Sequence, residues 1–341
     1  MLSCFRNPIS NKKKKGFFLK NGAAMLEHLI HDFNGKCNPI RMYSVEELSK
    51  ATNDYKSDLI DMDWNFKLYK GVHEGQEILV KMFYRIRSNV DESVDLITNE
   101  VAIASNMSNH KNFLKLIGCC LETKLPTLVY EFPAKGNLSC HIYTESDHHI
   151  GLVWPTKLKI AIQVADAVAY LHYGTTKVIV HRDIKPGHIF LDQDYVAKLS
   201  EFQMSVPIPL GETHVDVDTI TGTSGYLAPE YAVHGRTSEK TDVYNFGILL
   251  FVLFVGKRMS SLLVQNEGIS NPGSPCSSNE SGHWSVENRC KSYLEDNILE
   301  DENKKQVEEC AKLVERCLQE NPDERPIMTE VAQLLRSIKS L

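Results

Sequence analysis

Two short stretches hold side chains suited to acid–base or metal chemistry. "HRDIKPGHIF" carries Asp183, Lys185 and His188, and "KLSEFQMS" places Glu201 eighteen residues beyond that aspartate. Carboxylates accept protons and offer hard oxygen ligands to magnesium, whereas imidazole is a poor ligand for that ion. Earlier in the chain "ILVK" ends on Lys81, and Glu100 follows nineteen residues later. The question is whether these groups form a working site or the shell of one. No other His or Cys pattern converges on His188, so taken alone it reads as a packed or solvated side chain.

The bulk composition narrows the classes. With 341 residues, 24% charged and 42% hydrophobic, the chain reads as a soluble globular protein with ample core. A net charge of -6 gives no global reason to expect nucleic acid or an anionic membrane as a partner. Nine cysteines, none in a C-x-x-C pair, argue against a zinc cage or a disulfide framework and for reduced, cytosolic thiols. The longest apolar stretch, "FGILLFVLFVG", is about half the roughly 20 residues a membrane span needs and reads as a buried helix. No secretory signal is visible, so a cytoplasmic location is expected.

The elements that must position these groups change character along the chain. Residues 1–45 form a basic and helical extension: Lys12 to Lys15 is followed by "NGAAMLEHLIHDFNG". There Met25, Leu26, Leu29, Ile30 and Phe33 fall at helical spacing between two Asn-Gly pairs, which predicts an amphipathic helix docked on the main body. Ser44 and Glu47 in "YSVEELSKATNDY" form a capping box at the start of a second helix. Residues 46–133 hold the β-like runs "FKLYKGV", "EILVKMF", "FLKLIGCCLE" and "PTLVYEF", interrupted by one helix over 91–108. Residues 134–341 are mainly helical, with a turn-rich, flexible loop expected at 269–282. The class is α+β. Cys310 and Cys317, seven apart on a helical stretch, read as core positions.

The order and spacing of "ILVK", "HRDIKP", "GTSGYLAPEY", "TDVYNFG" and "NPDERP" give residues 46–341 the look of a eukaryotic protein kinase. That resemblance implies a small β-rich N-lobe with one helix and a larger helical C-lobe. It places Lys81 on the nucleotide phosphates and pairs it with Glu100, and it assigns Glu131 and Phe132 to the nucleotide-binding set. Asp183 takes the base position with Lys185 beside it. Arg182, Phe202 and Asp242 become structural, and Arg325 pairs with Glu230. The segment between "EFQ" and "APE" becomes an activation segment offering Thr219, Thr221, Thr223 and Ser224. More narrowly, "ELSKATNDY", "LIGCCLET" and "LVYEFPAKGNL" resemble plant receptor-like kinases of the wall-associated branch. "NGAAMLEHLIHDFNGKCNPIR" is similar to the Zed-related pseudokinases, adaptors that hold the leucine-rich repeat of a coiled-coil NLR immune receptor and capture receptor-like cytoplasmic kinases.

Against that pattern the nucleotide site is altered. Phosphoryl transfer needs cradled phosphates, bound magnesium and a placed base. The three positions of the G-x-G-x-x-G cradle hold Asp61, Asp63 and Phe66, and no glycine occurs between Gly35 and Gly71. At about 6 Å each aspartate would oppose a polyphosphate by roughly a kcal/mol. The metal positions hold His188 in place of asparagine and Glu201 in place of aspartate, while Gln203 replaces the glycine of the turn. ATP is therefore expected to bind weakly at most, and magnesium poorly.

Two functions follow from different classes. The favoured one is a non-catalytic adaptor in plant innate immunity whose surviving Lys81, Glu100, Arg182 and Asp183 are structural. The alternative is a weakly active, atypical ATP-dependent serine/threonine kinase. Cys4 beside Lys12 to Lys15 reads either as a solvated basic tail or as a site of peripheral association with the inner face of the plasma membrane, by S-acylation and charge.

Overall fold

The computed structural model describes residues 10–56, 58–142, 151–256 and 303–341; Cys4 and the turn-rich 269–282 lie outside them. The chain divides into two units. One comprises residues up to Gly136 with Phe190–Asp194 and Lys198–Ser205, and the other holds the remainder.

The first unit is built on a sheet of six strands. In chain order its elements are α1 (Asn11–Phe33), β1 (Arg41–Met42), α2 (Val45–Ala51), β2 (Leu59–Met62), β3 (Phe66–His73), β4 (Gln76–Phe83), α3 (Val90–Met107), β5 (Leu116–Cys120) and β6 (Thr127–Glu131). The strands run β1-β5-β6-β4-β3-β2, with only β1 parallel to its neighbour. A strand sends alternate side chains to opposite faces. Ile78, Val80 and Met82 of β4 thus pack with Tyr43, Leu48, Tyr69, Cys120 and Val129, which leaves Lys81 and Phe83 for the other face. The register sets Leu68 opposite Lys81 and Phe66 opposite Phe83. β1 can lie along β5 only at a glycine: a Cβ on Gly118 would sit 2.3 Å from the Arg41 carbonyl and 2.5 Å from the Tyr43 ring. The Ser44–Glu47 capping box opens α2 as its sequence predicts.

α1 differs from its sequence expectation. It begins at Asn11, so the lysine run and the first Asn-Gly pair are both inside the helix. Asn21 is fully buried, and its amide donates to the carbonyls of Leu121 and Thr123 at 2.9 Å each. These bonds hold the helix across a Gly22 that costs about 1 kcal/mol in helix propensity. The second pair does stop it: Asn34 and Gly35 are left-handed, and the Gly35 N–H donates to Leu29 O at 2.8 Å. Leu29 and Phe33 are buried as expected, whereas Leu26 and Ile30 are exposed.

α1 packs on α3. Lys20 pairs with Asp91, and the His28 imidazole sits 2.9 Å from Asp95 and 3.7 Å from Asp32. Burial opposes a charge on His28, but the two carboxylates outweigh it and push its pKa up to about 9.

β8 (Ile189–Leu191) and β9 (Ala197–Leu199) each place one residue, Ile189 and Ala197, in the second unit and the rest in the first; the second unit otherwise holds α4 (Ser139–Ile142), α5 (Trp154–Tyr173), β7 (Ile179–Val180), β10 (Val206–Pro207), β11 (Val215–Asp216), α6 (Pro229–His234), β12 (Arg236–Thr237), α7 (Glu239–Val255), α8 (Lys304–Cys317) and α9 (Met328–Lys339). α7 contains the apolar stretch and is buried from Thr241 to Phe254. Cys310 and Cys317 face the core from α8. Arg325 is 1% exposed and grips Glu230 with two 2.8 Å bonds. Its remaining donors reach the carbonyls of Gln319, Lys240 and Glu320.

The His28 contacts make the α1 dock pH-sensitive. A folded pKa of about 9 against an ordinary 6.5 means the stabilisation is complete below pH 6.5 and is lost as pH rises through 9. Hydrogen exchange corrected for intrinsic rate should show α1 protection falling by at least about tenfold over that window. His28→Ala should remove the dependence, and an unchanged slope in that variant would refute the assignment.

Candidate functional site

In the first unit everything converges on Lys81. The side chain is fully buried. Its ammonium donates to both oxygens of Glu100 at 2.8 Å and to Glu201 at 2.5 Å. The rings of Phe66 and Phe83 cover it, with centroids at 4.3 and 5.0 Å. Tyr130 donates its hydroxyl to Glu100 at 2.6 Å. Burial works against the lysine charge, but the two carboxylates outweigh it and raise its pKa. One cation facing two carboxylates leaves a negative excess in a dry site. Burial, with Glu100 close by, accordingly pushes Glu201 up to about 7 despite its contact with Lys81.

Glu201 stands in the left-handed region, at φ 70. Such a backbone is uncommon for a residue with a Cβ and persists where its surroundings hold it. Here the Lys81 pair is one holder and Gln203 is another, its amide 3.4 Å from Glu201. The Gln203 carbonyl accepts from buried Asn65 at 3.1 Å. Gln203 itself has no positive φ, so in this turn the special backbone lies two residues before the position where a glycine was expected. Phe202 is buried beside Phe113, and Asn99 donates to the carbonyls of Phe202 and Ser205.

The β2–β3 turn carries the degraded cradle positions. A phosphate cradle works by pointing free backbone N–H groups at the ligand. Here the N–H of Met62 donates to the Asp61 carboxylate at 2.7 Å, that of Trp64 to Asp63 at 2.5 Å, and that of Asp63 to the Phe66 carbonyl at 3.0 Å. The aspartates thus do more than repel anions: they bind the very donors a phosphate would require. The turn is pinned further by Tyr84, which donates its N–H to Asn65 O and its hydroxyl to Asp63 O. Glu131 accepts from the Lys115 N–H and pairs with Lys198 at 3.0 Å, and Phe132 lies under the Lys70 ammonium.

The second unit keeps its acid–base group. The Asp183 carboxylate accepts the Thr223 hydroxyl at 2.7 Å and lies 3.3 Å from the Lys185 ammonium, which also donates to Thr223 at 2.8 Å. Burial opposes the charge of Asp183, but His188, Lys185 and Thr223 hold its carboxyl below the ordinary range. Burial pushes His188 down to about 3, so it is neutral at pH 7. Its Nδ1–H donates to the Asp183 carbonyl at 2.8 Å. Asp242 accepts the backbone N–H groups of His181 and Arg182 at 2.8 Å each and meets His172 at 2.9 Å. Arg182, also left-handed at φ 70, lies against Tyr231, whose hydroxyl bonds both N–H and carbonyl of Thr221. Thr219 and Ser224 are exposed, and Thr221 and Thr223 are half-buried.

These residues do not fit a magnesium-bound triphosphate. The lysine is sealed, the cradle donors are bound internally, and the two metal positions are an ion-paired Glu201 and an inward-turned His188. Sequence reasoning missed Asn65, Phe83, Tyr130 and Tyr231. Phe83, Tyr130 and Tyr231 lay in stretches it had singled out, whereas Asn65 did not.

A protein kinase domain model matches residues 67–335. Three Arabidopsis thaliana proteins are among the relatives. "Serine/threonine-protein kinase ZRK1" is 35% identical over 96% of this chain and 93% of its own. "Non-functional pseudokinase ZED1" is 41% identical over 73% of each. "Wall-associated receptor kinase-like 4" is 34% identical over 97% of this chain and 42% of its own.

Two substitutions separate the charges around Lys81. Lys81→Met leaves Glu100 and Glu201 without a cation and should cost about 3–5 kcal/mol, the usual penalty for breaking a buried pair. With Glu201 at about 7 against an ordinary 4.5, its contribution is complete below pH 4.5 and lost as pH rises through 7. Glu201→Gln should therefore flatten the decline of stability from pH 5 to 8. Exchange of the β3 and β4 amides reads both effects, and a Glu201→Gln slope equal to the parent's would contradict this account.

Proposed function

The chain belongs to the protein kinase family, in the branch shared by the Zed-related pseudokinases and the wall-associated kinase-like proteins, and from its altered site we propose that it is a catalytically impaired member acting as an adaptor. The observation that carries this reading is the sealed Lys81: beside the Glu100 pair that working kinases also keep, Glu201 and two phenyl rings take the contacts a nucleotide would need. Binding a triphosphate would mean breaking the buried Lys81–Glu201 pair and freeing three turn amides before any phosphate contact is made. The resemblance to the Zed-related pseudokinases read from the sequence motivates the rest of the proposal. The protein acts in plant innate immune signalling, held to the leucine-rich repeat of an NLR receptor and recruiting receptor-like cytoplasmic kinases. An exposed apolar run on the sheet's outer strand and the turn after it, Leu59, Ile60, Met62 and Trp64, supports a role in protein binding.

One observation favours a second reading. Asp183 is ionised, paired with Lys185 and hydrogen-bonded to a threonine hydroxyl, the arrangement a weakly active serine/threonine kinase would use.

Thermal unfolding separates the two. Millimolar ATP, with or without magnesium, should shift the melting temperature by less than about 1 °C, because a ligand stabilises only in proportion to its affinity for the folded state. A magnesium-dependent rise of several degrees, with phosphate incorporation that Asp183→Asn abolishes, would establish the weak kinase instead. The adaptor role is checked by mixing the purified chain with the receptor's leucine-rich repeat. A stable complex is expected, and its absence would count against that role.

A further inference from the structure

α1 has two apolar faces. One is docked, through Leu29, Phe33 and the buried Asn21. Beside it, about a third of a turn round the helix, Leu19, Ala23, Leu26 and Ile30 recur at intervals of four, three and four residues and so share one stripe. Leu19, Leu26 and Ile30 are 62%, 53% and 57% exposed, and Ala23 is also exposed. Among the described residues nothing covers them. At its N-terminal end the stripe runs into Lys12, Lys13 and Lys15, all exposed. Lys14 and Lys20 are engaged with Glu46 and Asp91, but no ion pair joins Lys12, Lys13 or Lys15 to any described residue. Glu27 and His31 flank the stripe. From Lys12 to Ile30 the helix is about 27 Å long at 1.5 Å per residue.

We infer that this face of α1 docks on an anionic lipid bilayer, lying in the plane of the surface with Leu19, Leu26 and Ile30 inserted and the lysine run on the headgroups. Two features select this occupant. Lys12, Lys13 and Lys15 outnumber the single carboxylate of Glu27 beside the stripe, and that positive excess complements an anionic leaflet. The apolar area, three large side chains and an alanine, falls well short of the roughly 1,200 Å² that a stable protein pair buries. A small apolar insertion supported by basic charge is the usual composition of an in-plane helix. Among the described residues no helix is long and apolar enough to cross a membrane, so the association is peripheral. The docked face of α1 stays on α3, and the inference rests on no property of the nucleotide site.

The test is co-sedimentation of the full chain with phosphatidylcholine vesicles, with and without phosphatidylserine. The chain should partition at least about tenfold more strongly onto the anionic vesicles, and high salt should reverse this. Leu26→Ser with Ile30→Ser should lower anionic binding about tenfold at an unchanged melting temperature, since both side chains are exposed. Lys12→Gln, Lys13→Gln and Lys15→Gln together should remove the preference for phosphatidylserine without touching the apolar stripe. The inference is overturned if the parent ignores anionic vesicles or if the serine variant binds as well as the parent. It is equally overturned if light scattering shows a dimer that the serine variant dissolves, which would give the face to a second copy.

Discussion

A lysine ammonium cannot stay fully buried without counter-charge, because removing an ion from water costs several kcal/mol. In this chain Lys81 meets that constraint from within, through Glu100 on α3 and Glu201 on the turn after β9. Much else in the first unit follows. To reach the amine, Glu201 takes a left-handed backbone, Gln203 braces it, and Asn65 braces Gln203 from the β2–β3 turn. That turn is drawn into a closed loop whose N–H groups are internally bonded. The features that make the site unfit for a triphosphate are thus one linked network, and its members depend on each other's geometry.

The two units have changed unequally. In the second, Asp183, Lys185 and Thr223 form a tight polar group, and Asp242 orients the backbone that presents it. Nothing there calls for a nucleotide. A polar network around an arginine or aspartate is costly to dismantle piecemeal, since each removal leaves its partners buried and unpaired. That cost is reason enough for Arg182, Asp183 and the Arg325–Glu230 pair to persist whether or not chemistry does.

Much of this was legible in the sequence. The Ser44–Glu47 capping box, the β-like run of β4 and the apolar stretch of α7 follow from short-range rules, and the motifs carried Lys81, Glu100, Glu230 and Arg325. What escaped were long-range contacts that no spacing encodes. The extra methylene of Glu201 reads in sequence as a misplaced metal ligand; in space it ends on Lys81. Gln203 reads as a lost glycine, yet the backbone there needs none and the side chain forms a latch. Asp61 and Asp63 read as charges aimed at a phosphate but cap their own turn. α1 was mislocated because Asn-Gly signals a break, and only the carbonyls of Leu121 and Thr123 reveal why Asn21 does not make one.

The enclosure of Lys81 also bears on how such proteins are surveyed. Acylation requires an amine that is both neutral and reachable. An ammonium whose pKa is raised, with no exposed surface and two carboxylates in contact, is neither. A reagent that finds such proteins by acylating this lysine would therefore leave Lys81 unmodified in the folded chain.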